Sequence, residues 1–190
     1  MAITHLNRRG KTYYLHQSQT KSGKLMFFFS MKPADQPVEA IPEGYEIYEE
    51  IKGQVFLRKI TPKLVTDAEV ALVERSVREL APQARAIVQA KKNAIVVAVA
   101  EHPSVDLQSA FTILAGFRIP WVPQLDRFLQ YAPMMQLVLA DKELRTFSVQ
   151  RWCFRGSIDR WIHLAGPDDL AILLKDYCPY LGKGSLYDLI

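Results

Sequence analysis

Residues Met134 to Leu164, MMQLVLADKELRTFSVQRWCFRGSIDRWIHL, read as a meander of antiparallel strands, and the fold turns on that reading. Met134 to Leu139 is a mostly apolar run, and Ala140-Asp141-Lys142-Glu143 has the polar composition that reverses a chain. Leu144 to Cys153 is the returning strand. Its period of two places Arg145, Phe147, Val149, Arg151 and Cys153 on one face and Leu144, Thr146, Ser148, Gln150 and Trp152 on the other. The first set is the more apolar and is expected to face the core. Gly156-Ser157 turns the chain into a third strand, Ile158 to Leu164.

A guanidinium on the core face needs an acceptor, because an unpaired buried charge costs on the order of several kcal/mol. Asp159, on the third strand, is the expected partner of Arg151. Two readings of this Arg-rich and Trp-rich region follow. In one, Arg151, Arg155 and Arg160 grip an anion or a partner while Trp152 and Trp161 serve as stacking platforms, since guanidinium forks match carboxylate and phosphate oxygens. In the other, an Arg to Asp pair and two rings simply fill the sheet's core. An enzyme site with no familiar motif would lie near Arg151, Arg155 and Asp159.

The chain has 190 residues, 49% hydrophobic and 23% charged, enough to bury a core without disulfides or metals. Cys153 and Cys178 are the only cysteines, which suits reduced thiols and a cytoplasmic location. The start, MAITHLNRRGK, lacks the apolar run of a signal peptide, and the longest clean apolar run, Ala94 to Ala100, is too short to span a bilayer. No membrane association is expected.

Net charge is +4 but unevenly placed. Residues 1 to 34 carry Arg8, Arg9, Lys11, Lys21, Lys24 and Lys32 with no acid, and residues 35 to 51 carry Asp35, Glu39, Glu43, Glu46, Glu49 and Glu50. Such segments form either a nucleic-acid face or neighbouring strands whose charges pair.

Upstream of the meander, Lys11 to His16 and Leu25 to Ser30 form a predicted hairpin rich in Tyr and Phe. Gly44 opens a second hairpin, Tyr45 to Glu50 and Gln54 to Ile60, turning at Ile51-Lys52-Gly53. Thr66-Asp67-Ala68-Glu69 is a capping box for a helix that buries Val70, Val73, Val77 and Leu80 and stops at Pro82. Ala84 to Ala90 and Ala94 to Ala100 are two strands, the second apolar on both faces. Helices are predicted over Ser104 to Gly116 and Gln124 to Tyr131, and a last one from Pro167-Asp168-Asp169 burying Leu170, Leu173, Leu174 and Tyr177.

NRRGKTYYLH, SGKLMFFFS, IPEGYEIYE and GQVFLRK together resemble the opening of a family of bacterial proteins with no assigned activity, so the likeness implies no site residues. GKTYY is also similar to a strand in the small arm-binding domains of phage integrases, whose sheet lies in the DNA major groove. This chain departs from that family in its acidic Tyr45 to Glu50 strand and in having no recombinase catalytic set.

No catalytic constellation meets its spacing requirement. His5, His16, His102 and His163 are scattered and there is no CxxC, so neither a metal site nor a cofactor is expected. Gly182-Lys183-Gly184-Ser185 lacks the rest of a phosphate loop, and Lys52 of the nuclease-like set Asp35, Glu50, Lys52 falls in a turn. Cys153 with His163 is the one candidate thiol pair.

The expectation is an α+β protein of antiparallel sheets, N-terminal hairpins and a C-terminal meander, with about three to four helices. Residues 1–61 make a β module and 62–190 a larger domain. Its expected role is non-catalytic binding of another macromolecule, a protein first. Nucleic acid is the alternative, held by Arg8, Arg9, Lys11, Tyr13, Lys21 and Lys24, with cations for phosphates and rings for bases.

Overall fold

The computed structural model describes residues 2–33, 38–101, 129–155 and 157–188. The chain divides into two compact units, with the boundary between Thr61 and Pro62.

The first unit is all β among its described residues. Strands β1 (Thr4–Leu6), β2 (Thr12–Gln19) and β3 (Leu25–Ser30) form an antiparallel sheet in that order, and β4 (Tyr45–Glu49) with β5 (Val55–Lys59) forms a separate hairpin. β1, too short to show periodicity, was not expected from the sequence. Among the unit's described residues the buried apolar ones are Leu15 and Val55.

The second unit is a five-stranded antiparallel sheet in the order β10-β9-β8-β7-β6, with two α-helices. Its strands are β6 (Ala86–Ala90), β7 (Ala94–Ala100), β8 (Tyr131–Asp141), β9 (Thr146–Arg155) and β10 (Ile158–Asp169); the helices are α1 (Asp67–Leu80) and α2 (Leu170–Tyr177). β7 is buried at every position, as a strand apolar on both faces requires. On β9 the buried side chains are Phe147, Val149, Arg151 and Cys153, so the alternation read from the sequence sets the register. Phe147 and Val149 share a core with Val73 and Val77 of α1 and Leu173 and Leu174 of α2.

Three expectations need correction. Among the described residues there are two α-helices, not three to four. The helices expected at 104–116 and 124–131 fall mostly outside the described residues, and Tyr131, where the second would end, opens β8. The last helix begins later than expected, because Asp168 and Asp169 are still paired with Phe147 and Thr146 of β9. Asp169 caps α2 instead, its Oδ1 accepting from Ala171 N at 2.8 Å. The third correction concerns Asp159. It lies opposite Phe154 and is exposed, whereas Arg151 lies between Met135 of β8 and Ile162 of β10, so Asp159 does not sit across from the buried guanidinium.

β10 outruns its expected end at Leu164 through two register shifts, between His163 and Ala165 and between Ala165 and Asp168. Gly166 occupies the second at φ 103°, and a Cβ there would stand 2.5 Å from the Phe147 carbonyl oxygen. Only glycine fits that approach.

Candidate interaction surfaces

The first unit is tied together by the residues of its basic opening. Asn7 is only 4% exposed, and it donates from Nδ2 to the Gly53 carbonyl at 2.6 Å. Its Oδ1 accepts from the amides of Arg9 and Lys11 at 3.1 and 2.8 Å, so one buried amide joins the β1–β2 turn to the β4–β5 turn. Arg8 Nε donates to Glu49 Oε1 at 2.6 Å, and His5 Nε2 lies 3.2 Å from the other carboxylate oxygen. Burial pushes the Glu49 carboxyl up, but the hydrogen bonds from Arg8 and His5 and the charge of Arg8 together outweigh it and hold the group below its ordinary value. Glu46 is paired in turn with Arg58, whose guanidinium lies 3.8 Å from the centre of the Tyr48 ring. The acidic strand therefore pairs with arginines inside its own unit.

The strand register then decides which aromatics face out. Leu6 is paired with Thr12, Tyr14 with Ser30, His16 with Phe28 and Ser18 with Met26, so these even-numbered residues share one face. Tyr13, Leu15, Phe27 and Phe29 share the other, which buries Leu15. The even face stays open along its length, whereas the other is exposed only toward the β2–β3 turn, at Gln17, Gln19 and Leu25. Leu6 is 67% exposed, Met26 49% and Phe28 40%, and the His16 and Phe28 rings stack with centroids 5.2 Å apart. Leu6, His16, Met26 and Phe28 were not singled out from the sequence. Their common parity was available there, but which face the rest of the unit would cover was not.

The residues expected to hold nucleic acid are distributed over this sheet rather than gathered. Arg8 is committed to Glu49, and Tyr13 lies on the Leu15 side. Arg9 and Lys11 belong to the β1–β2 turn, Arg9 with its side chain against Gly53. Lys21 and Lys24 are exposed in the β2–β3 turn, at the opposite end of β2, about 25 Å away at the usual rise per residue.

The meander residues divide as well. Arg151 is 4% exposed on the helix-covered face, whereas Trp152 and Trp161 form a cross-strand T-shaped pair, centroids 5.1 Å apart, on the other. Arg160, opposite Cys153, shares the parity of Arg151 but is exposed. The side chain of Arg155 lies outside the described residues. Arg151 and Arg160 are thus placed on the face opposite Trp152 and Trp161.

Cys153 faces the core and His163, paired with Gln150, faces away, so the two do not meet. Burial pushes the Cys178 thiol up to about 12, which leaves it protonated and unreactive at neutral pH. Asp35 lies outside the described residues, and Gly184-Ser185 opens a short 3-10 turn. Among the described residues no group of three or more His, Cys, Asp or Glu is placed to hold a metal ion, and no helix is long and apolar enough to cross a membrane.

Comparisons with protein-family models, with curated proteins and with solved structures returned no match.

Proposed function

We propose that the chain is a non-catalytic binding protein that takes a protein partner on the outer face of its N-terminal sheet. The observation that carries this reading is the exposure of Leu6, Met26 and Phe28 along one face of β1, β2 and β3. Apolar side chains lined up in this way lose water-contact cost when a partner covers them, and rings and Met are favoured anchors in such contacts. Lys11 stands at one end of the face and Lys21 and Lys24 at the other, with no acid anywhere in residues 1 to 34. The complementary surface is an apolar patch rimmed by carboxylates. A cytoplasmic setting, where Cys153 and Cys178 stay reduced, belongs to the same reading.

A second reading is single-stranded nucleic acid, favoured by the exposed edge of the His16 and Phe28 stack between two cationic turns. The two readings part on salt. Nucleic-acid binding falls steeply as salt rises, whereas an apolar contact holds.

The test is a photo-crosslinking amino acid placed at Phe28 and, as a control, at Gln17 on the other face. The expected result in living cells is one discrete protein adduct from position 28, absent from position 17 and lost when Leu6→Asp and Met26→Asp are added. Equal labelling from both positions, or nucleic acid as the only adduct, would overturn the reading.

A further inference from the structure

The two edges of the five-stranded sheet are built differently. β10 carries the devices that keep an edge from pairing: Asp159, Arg160, Asp168 and Asp169, Pro167, and two register shifts. β6 is Ala-Ile-Val-Gln-Ala, with neither charge nor proline nor bulge. Its hydrogen-bond phase is fixed at both ends. Lys91 N donates to Ala94 O at 2.7 Å and Ala100 N to Arg85 O at 2.9 Å. Pairs in an antiparallel ladder alternate between bonded and non-bonded, so Ile87 and Gln89 turn their backbone groups to β7, and Ala86, Val88 and Ala90 turn theirs outward. Among the described residues nothing takes up those outward amides and carbonyls.

Beside this edge runs α1, and between the two lies an open groove of about 530 Å³. Val77, Ala81, Ala84 and Val88 give it an apolar floor, and Glu74 and Arg78 stand on its helix side. Charge around the strand is one-sided. Lys91 and Lys92 follow it, both exposed, and no acid occurs between residues 80 and 100.

We infer that β6 is a docking edge for an extended segment of a partner protein, alternating small apolar residues and carrying acids that meet Lys91 and Lys92. The segment adds as a sixth strand. Its backbone bonds Ala86, Val88 and Ala90, its alternate side chains enter the groove under α1, and its acids meet Lys91 and Lys92 where the strand ends.

The test uses the full chain and two blocked synthetic peptides of alternating Val and Thr, one with Glu at both ends and one with Lys. The acidic peptide is expected to bind at least about tenfold tighter and to slow hydrogen exchange at the amides of Ala86, Val88 and Ala90. Val88→Pro, which removes an outward donor, should abolish binding. Lys91→Glu with Lys92→Glu, exposed turn positions that leave the fold intact, should reverse the preference and so keeps the test decisive if the proline variant misfolds. Equal or absent binding of both peptides, or protection elsewhere, overturns the inference. So does slow exchange of the three amides in the free protein, which assigns the edge to this chain itself if independent of concentration and to a second copy if not.

Discussion

Arg145 is the residue on which the second unit's assembly can be tested most sharply. It sits at φ 53°, a left-handed conformation that costs a non-glycine residue on the order of 1 kcal/mol. Its guanidinium reaches both oxygens of Glu69, with Nη2 at 2.6 Å from each, and the Leu64 carbonyl at 3.2 Å. Glu69 at the same time closes the capping box of α1, accepting from the Thr66 amide at 2.7 Å. One carboxylate thus caps a helix and fixes a hairpin turn. Glu69→Ala should destabilise by about 1–3 kcal/mol, read as a lower urea midpoint. Arg145→Gly, which loses the pair but relieves the backbone, should cost about 0.5–1 kcal/mol less than Arg145→Ala. Burial raises the Glu69 carboxyl, yet the bonds from Arg145 and Thr66 together bring it, like Glu49, below the ordinary 4.5. A depressed carboxylate contributes stability that is whole above its unfolded pKa and is lost as pH falls through its folded one. Acidification from neutral to about pH 3 should therefore lower the urea midpoint of the wild type more than that of a Glu49→Gln, Glu69→Gln variant.

At the scale of elements, the bulge in β10 leaves its backbone little freedom, since Gly166 sits at φ 103° against the Phe147 carbonyl. Gly166→Ala should cost more than about 2 kcal/mol, because the new Cβ meets the Phe147 carbonyl and Ser148 Cα rather than a yielding side chain. In the first unit, Asn7→Ala should cost about 1–3 kcal/mol by stranding the Gly53 carbonyl and two amides, and thermal melting would register it. The same elements show what the sequence carries. The register of β9 was legible because polar and apolar residues alternate from Thr146 through Gln150. The capping box at Thr66 was legible because its signal is local. The true start of α2 was not, since the Pro167-Asp168-Asp169 pattern of a first turn also suits a strand end followed by a cap. For the N-terminal sheet, strand parity grouped Leu6, His16, Met26 and Phe28 in advance. Their exposure depends on which face the unit's other hairpin covers, a tertiary fact with no sequence signal. The pairing of Arg8 with Glu49 was visible only as two segments of opposite charge.

Across the whole molecule, the account rests on a division of labour within the N-terminal unit. One set of its polar residues, Asn7, Arg8, His5 and Glu49, holds the unit together, and the apolar outer face of its sheet, exposed at Leu6, Met26 and Phe28, is the face we propose a partner takes. The most direct measurement is hydroxyl-radical footprinting of the protein, purified and inside intact cells. Exposed Leu144 in the second unit serves as the internal standard. The account predicts that Met26 and Phe28 are oxidised readily in the purified protein and are protected in cells while Leu144 is labelled alike in both. Equal oxidation of Met26 and Phe28 in the two settings would contradict it.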